Sequence, residues 1–241
     1  PAESFPYSSD ALAVHILRLV STILGLGVVW ATYATVLEIW EGRSDLALGA
    51  AAVAAFVPQF LYLSAAVSND PAVACFSALT LWLIVRAERR GCSRRGAAAL
   101  GFAAGLAALS KLSGFGIAPL AIAAAFGVGY RRSGRRSGVS LAAIVSLVFT
   151  VTVSWWLARN WLLYGELFPL QTFLRRQDLV NQWPSLADLL RDAPGLNKSF
   201  WGLFGWFNIL ADDLFYHFFE SLSVLAAVGL LLLIFRRRGW P

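Results

Sequence analysis

Seven apolar stretches divide most of the chain, and short polar or basic segments separate them. Most of the stretches approach the length of about 20 residues that an α-helix needs to cross a bilayer. They span residues 11–37, 46–67, 71–87, 97–112, 115–130, 139–158 and 214–235. The pattern predicts an all-α fold, a polytopic transmembrane helical bundle of about seven spans, which forms a single module over residues 1–241.

The composition favours a membrane protein over a soluble enzyme. Of the 241 residues, 58% are hydrophobic and 14% are charged, and the mean hydropathy is +0.65. A soluble domain carries about 25% charged residues. The net charge of +6 is typical of basic loops kept on the cytoplasmic side of a membrane. We therefore predict no nucleic-acid partner.

The basic residues predict how the spans lie in the membrane. Arginines cluster after the third, fifth and seventh stretches, in residues 86–95, 131–136 and 236–238. Basic loops remain on the cytoplasmic side, so alternating spans place the N-terminus outside and the C-terminus in the cytoplasm. The long amphipathic and aromatic loop region, residues 159–213, then lies outside. Within it, Ser185 and Asp188 match a capping box that opens a short helix to about Arg191.

Two charged residues at the predicted outer side are candidates for chemistry. Asp70, between Asn69 and Pro71, suits a helix N-cap followed by the first helical residue. A carboxylate there also suits a base or a sugar ligand, and the two roles are compatible. Lys111 ends the fourth span, where its ammonium group either reaches the interface along an apolar stem or binds a lipid phosphate.

Two arginines are also unusual at the outer side. Arg159 follows the sixth span, although arginine normally accumulates in the cytoplasm. A guanidinium group can bind a phosphate with two hydrogen bonds, so both an interfacial anchor and a phosphate contact remain open for Arg159. Arg18 lies within the first span, and ionisable groups at membrane depth usually mark function.

The ordered motifs resemble a known family. They are Phe56–Phe60, Ser64–Asp70, Gly105–Lys111, Arg159–Gly165 and Ser199–Trp206. Together they resemble the integral-membrane glycosyltransferases of the GT-C type, in particular the bacterial relatives of protein O-mannosyltransferases and of the aminoarabinose transferase of lipid A. The resemblance covers roughly residues 11 to 235 and implies a bacterial inner-membrane enzyme.

The resemblance also implies a reaction. Such enzymes move a sugar from a polyprenyl-phosphate donor to a glycan, lipid or protein acceptor on the outer face of the membrane. Asp70 would be the catalytic carboxylate, and Lys111, Arg159 and, as a weaker candidate, Arg18 would bind the donor phosphate. The substrate groove would include five further residues: Asn69, Asn160, Tyr164, Trp201 and Trp206.

Some expectations remain open. Members of this family begin with a cytoplasmic N-terminus, one span and an outer loop that bears the main catalytic acid. That segment is missing from this sequence, so we expect the chain to be an internal fragment that is incomplete and inactive by itself. The sequence shows no metal-ligand pattern, so we predict no cofactor and leave a divalent metal undecided. The alternative functions are a transporter or flippase of lipid-linked or small solutes, and a non-catalytic membrane subunit.

Overall fold

The structure is a computed structural model that describes residues 7–169, 185–205 and 208–236. These residues are almost entirely helical, which confirms the predicted all-α class. The chain divides into two compact units, residues 1–181 and residues 182–241. The prediction of a single module stays a prediction.

The first unit contains seven α-helices and one 3₁₀ turn among its described residues. The helices are α1 (Ser9–Ile39), α2 (Ser44–Ala55), α3 (Pro58–Ala65), α4 (Asp70–Arg90), α5 (Arg94–Ser110), α6 (Ile117–Ser133) and α7 (Arg135–Tyr164), and the 3₁₀ turn is Leu112–Gly116. They run up and down through the unit. Residues 38–45, 86–95 and 131–136 meet at one end, which we call the basic end. Residues 66–70, 110–114 and 159–166 lie at the other, which we call the Asp70 end.

The predicted second span is not one straight helix. Helices α2 and α3 are bent by 65° at the break that precedes Pro58. Proline lacks an N–H group and disfavours helical geometry in the residue before it, so it starts a new helix here. Val57 accordingly has an extended backbone.

The sixth span is longer than predicted. Helix α7 continues past residue 158 to Tyr164 and ends where Gly165 adopts a left-handed backbone with a φ of 69°. Glycine tolerates this conformation without steric cost. None of residues 159–164 favours a turn or a break, so the helix does not end before Gly165. Arg159 and Asn160 therefore lie on a helix, and their assignment to the loop was wrong.

Fewer than seven helices of the described chain are long and apolar enough to cross a membrane. Five helices of the described chain are long and apolar enough to cross a bilayer, and the bent pair α2–α3 makes six if it counts as one span. Helix α5 has 17 residues, slightly short of a full crossing. All seven predicted stretches are nevertheless helical, so the count of seven is approximate.

Close packing around α5 holds the bundle together. Small residues let the backbones of α5 and α7 approach, as in other membrane helix pairs. A Cβ atom on Gly101 would lie 2.5 Å from the carbonyl oxygen of Val145, and one on Gly105 would lie 2.7 Å from Thr152 Cβ. The buried core beside this contact includes Leu100, Ala104, Ala121, Ala125, Leu141 and Val145.

The basic end is joined by ion pairs across three helices. Glu38 of α1 is 5% exposed and contacts Arg90 at 2.7 Å and Arg86 at 3.4 Å, both on α4. Arg131 of α6 pairs with Glu88 of α4 at 2.5 Å. A buried carboxylate is tolerated only with partners of this kind, so these pairs fix the relative positions of α1, α4 and α6.

Among its described residues, the second unit contains two helices, α8 (Leu186–Trp201) and α9 (Asp213–Arg236), and a short antiparallel pair, β1 (Leu203–Phe204) and β2 (Ile209–Leu210). The capping box of Ser185 and Asp188 is confirmed. Helix α8 continues ten residues beyond the predicted end at Arg191. Within this unit, the Tyr216 hydroxyl donates to the Gly202 carbonyl oxygen at 2.6 Å.

Two glycine substitutions test the close packing of α5 on α7. We expect Gly101→Ala to lower the free energy of unfolding by about 1–3 kcal/mol, because the added methyl group meets backbone atoms of α7. Gly49→Ala is the control, since no atom lies within 4 Å of a Cβ at that position in α2. It should stabilise the helix by about 0.5–1 kcal/mol. Unfolding in detergent micelles measures both; equal effects would contradict the packing.

Candidate functional site

An ion pair at the Asp70 end joins the start of α4 to the end of α5. The ammonium Nζ of Lys111 lies 2.7 Å from Oδ1 of Asp70. The Asp70 side chain is 32% exposed and the Lys111 side chain 45% exposed. The structure therefore brings together two residues that lie 41 positions apart in the chain. Both groups stay accessible to a ligand.

The predicted capping role of Asp70 was wrong. Helix α4 already includes Asp70 as its first residue, and the N-cap residue is Asn69, whose side chain makes no capping hydrogen bond. The Asp70 carboxylate instead accepts a hydrogen bond from Lys111, and the Asp70 backbone N–H donates to Ser68 Oγ at 3.3 Å. Pro71 still fits the first turn, where a missing N–H group costs nothing.

Two neighbouring contacts position the pair. The Asn69 side-chain amide donates to the Ser110 carbonyl oxygen at 3.0 Å, which links the loop before α4 to the last residue of α5. Gly114 folds the 3₁₀ turn back onto α5, where a Cβ atom would collide with the Ala107 carbonyl group. Gly114 N–H donates to the Lys111 carbonyl oxygen at 2.8 Å. This positioning role of Gly114 was not predicted from the sequence, although the turn signal of Ser113 and Gly114 lies one residue after Lys111.

Arg159 lies at the same level of the bundle as Lys111. Helices α5 and α7 run parallel, and Gly105 packs against Thr152. Lys111 is six residues beyond Gly105, about 9 Å along the axis, and Arg159 is seven residues beyond Thr152, about 10 Å along and about 20° around α7. Arg159 thus lies on the stripe of α7 that faces α5. It is exposed, and it makes no ion pair within the described residues.

An aromatic cluster holds the Lys111 segment against α7. The Phe115 ring lies 5.8 Å from the Phe149 ring, 6.2 Å from the Trp156 ring and 5.1 Å from the Phe168 ring. Such edge-to-face and tilted pairs stabilise a fixed geometry. The 3₁₀ turn that follows Lys111 therefore packs beside the α7 turn that precedes Arg159.

Arg18 does not lie on the face of α1 that packs against α4. It precedes Gly27 by nine residues, which is about 180° around α1, and Gly27 is the position that meets Cys75 of α4. Arg18 shares its stripe with Gly25, which contacts Ser64 of α3. The side chain is exposed. The geometry therefore turns Arg18 toward α3, and within the described residues no hydrogen bond or ion pair joins its side chain to Asp70 or Lys111.

The other predicted groove residues have different local surroundings. Asn160 is 2% exposed, and its amide donates to the Leu167 carbonyl oxygen at 3.2 Å, so it closes the turn after α7. Tyr164 is exposed at the end of α7. Trp201, in the second unit, is buried and stacks on Phe219 with ring centroids 4.4 Å apart. Trp206 lies outside the described residues.

The described residues contain no group of three or more histidine, cysteine, aspartate or glutamate side chains that could hold a metal ion. Asp70 and Lys111 form a charged pair at the Asp70 end, and Arg159 is an additional cation at the level of Lys111. This arrangement can bind an anion through two cations and can accept hydrogen bonds through a carboxylate.

The fold and the site define the class, an integral membrane protein with a charged site at one end of an apolar helical bundle. A family model for dolichyl-phosphate-mannose-protein mannosyltransferase matches residues 13–156, which is more than half of the chain, and the chain belongs to this family. It is accordingly a membrane glycosyltransferase of the mannosyltransferase type. The match includes Asp70 and Lys111 and ends three residues before Arg159. No curated protein and no solved structure matches the chain.

The Asp70–Lys111 pair should contribute little to stability. Because both side chains are substantially exposed, we expect Asp70→Asn and Lys111→Met each to change the free energy of unfolding by less than about 1 kcal/mol. Their coupling in a double-mutant cycle should be about 0.2–1 kcal/mol. Denaturant unfolding of the two single variants and the double variant measures this. A coupling of several kcal/mol would identify the pair as a structural element rather than a binding site.

Proposed function

We propose that the chain transfers a sugar from a polyprenyl-phosphate donor to an acceptor hydroxyl group at the Asp70 end of the bundle, and that this end faces the outside of the membrane. The family relationship supports the class of reaction, because its description names a lipid phosphate as the carrier of the sugar. The ion pair of Asp70 and Lys111 carries the assignment of the site.

The distribution of basic residues supports the orientation. Between residues 7 and 169, ten arginines lie in or beside the loops of the basic end, whereas Arg18, Lys111 and Arg159 are the basic residues toward the Asp70 end. Loops rich in lysine and arginine are retained in the cytoplasm. The Asp70 end would then face the periplasm of a bacterial inner membrane.

An apolar groove between α5 and α7 suits the lipid part of the donor. It has a volume of about 670 Å³ and is lined by Phe102, Leu106 and Leu109 of α5 and by Leu147, Val148, Val151, Thr152 and Trp155 of α7. Arg159 is one helical turn beyond Trp155, and Lys111 follows the α5 side of the groove. An isoprenoid chain in this groove would carry its phosphate toward the two cations.

The proposed reaction assigns one role to each charged residue. The acceptor oxygen attacks the anomeric carbon, the bond from that carbon to the phosphate oxygen breaks, and the phosphate leaves with the electron pair. Lys111 and Arg159 stabilise the negative charge on the departing phosphate. Asp70 accepts the hydroxyl proton. Within residues 7–169, no hydrogen bond reaches Oδ2 of Asp70, so that oxygen can receive the acceptor hydroxyl group.

A donor-consumption assay tests these roles. We expect Asp70→Asn to lower turnover by at least about 100-fold, the usual effect of losing a general base. Lys111→Met and Arg159→Gln should each weaken donor binding by about tenfold, which corresponds to one lost charge-assisted contact. The measurement uses the protein in vesicles with polyprenyl-phosphate mannose.

Arg43→Gln is the matched control, because Arg43 forms an exposed ion pair with Asp45 at the basic end. It removes the same charge as Arg159→Gln and should leave both parameters unchanged. Near-normal turnover in Asp70→Asn together with near-normal donor binding in Lys111→Met would refute the site. Absence of donor consumption by the unaltered protein would refute the donor class.

A further inference from the structure

A second cavity lies at the basic end, away from the Asp70–Lys111 site. It has a volume of about 310 Å³ and lies between the C-terminal ends of α4 and α6 and the first turns of α5 and α7. Its polar lining includes Arg90, Arg132, Ser93, Ser133 and Ser137. Among the described residues that line it, none is an aspartate or a glutamate. The cavity therefore favours an anion.

The two arginines keep hydrogen-bond donors for a ligand. A guanidinium group has five N–H donors. Arg90 donates through Nε to Glu38 at 2.7 Å, which leaves its two terminal nitrogens. Arg132 donates through Nη2 to the carbonyl oxygens of Glu88 and Arg89, both at 2.9 Å, which leaves Nε and Nη1. Each arginine is thus held in place by one set of contacts and still has donors free.

The hydroxyl groups add neutral donors. Ser93 Oγ already accepts a hydrogen bond from Gly96 N–H at 3.1 Å and can donate its own proton. In the described part of the bundle, Ser133 and Ser137 make no side-chain hydrogen bond. Of the nearby carboxylates, Glu88 pairs with Arg131, and Glu38 pairs with Arg86 and with Arg90 of the cavity itself. Within the described residues, no carboxylate pairs with Arg132.

The interior side of the cavity is apolar. Val128 of α6 is 2% exposed and Leu141 of α7 is 6% exposed, and both line the cavity below the serines. A ligand with a charged head and an apolar tail matches this order, whereas a free phosphate matches only the polar part.

We propose that this cavity binds the phosphate group of an anionic membrane lipid, with the acyl chains extending along α6 and α7. Basic pockets between membrane helices are known to bind lipid head groups in this way. The site differs from the donor site in its position, at the opposite end of the bundle. It would join α4, α5, α6 and α7 through one bound lipid.

Cys92 provides a reporter inside the cavity. It is half-buried and lines the cavity wall, and burial raises the pKa of its thiol. The thiolate is the reactive form, so alkylation by N-ethylmaleimide is followed at alkaline pH. Peptide mapping separates Cys92 from the other cysteine, the buried Cys75. A lipid head group in the cavity should cover Cys92 and slow its alkylation.

The experiment compares the protein in nanodiscs of phosphatidylcholine with the protein in nanodiscs that also contain phosphatidylglycerol. We expect phosphatidylglycerol to slow Cys92 alkylation by about tenfold, the change that about 1.4 kcal/mol of binding preference produces. Inorganic phosphate in phosphatidylcholine nanodiscs should give no comparable protection. Equal protection by phosphate would overturn the lipid assignment, and no protection under either condition would overturn the site.

Two variants with the same change in charge distinguish binding inside the cavity from general attraction to the positive surface around it. Ser137→Asp adds a negative charge inside the cavity, and Arg136→Gln removes a positive charge from the adjacent exposed position. The protection ratio should fall to about one in Ser137→Asp and persist in Arg136→Gln. Equal loss in both variants would show diffuse attraction and overturn the proposal. Arg132→Gln should also lose protection, and helical circular dichroism checks that each variant remains folded.

Discussion

Unpaired charge is costly in the hydrocarbon of a bilayer, and this constraint arranges the first unit. The apolar middles of α1, α4, α6 and α7 leave the charged residues to the two ends of the bundle. Glu38 differs from the other charged residues because it is buried, and it forms ion pairs with two arginines of α4. Close contacts at Gly101 and Gly105 then set α5 against α7. The position of Lys111 relative to Asp70 depends on all of these contacts.

The apolar pattern alone predicted where the helices lie but not their exact form. A stretch of apolar residues indicates a buried or lipid-facing segment. It does not distinguish one continuous helix from two helices with a break between them. The break at Val57 depends on Pro58, and the continuation of α7 to Tyr164 depends on the left-handed Gly165. Both are local backbone effects that hydropathy does not measure. The two-unit division of the chain likewise arises from contacts, which hydropathy does not show.

The site was predictable as a set of residues rather than as a geometry. Asp70 and Lys111 were identified separately, each by its unusual charge near the predicted outer ends of apolar stretches, and their pairing across 41 positions came only from the structure. The N-cap prediction for Asp70 failed because a local capping rule cannot include a lysine from a distant helix. Arg18 has the same charge signal as Arg159, yet helical geometry places it on the stripe of α1 that faces α3 rather than on the stripe that faces α4. Charge alone therefore does not identify which cations share a site.

Photo-cross-linking tests the central claim, that the donor phosphate binds beside Lys111, most directly. A photoreactive amino acid replaces Leu112, which is 50% exposed, or Leu48, which is 62% exposed and lies near the basic end in α2. With a radiolabelled polyprenyl-phosphate mannose in vesicles, at a donor concentration below saturation, we expect a donor adduct from position 112 and little adduct from position 48. The additional change Lys111→Met should lower the adduct at position 112 by about tenfold. Equal adducts from both positions, or an adduct at position 112 that is undiminished without Lys111, would contradict the claim.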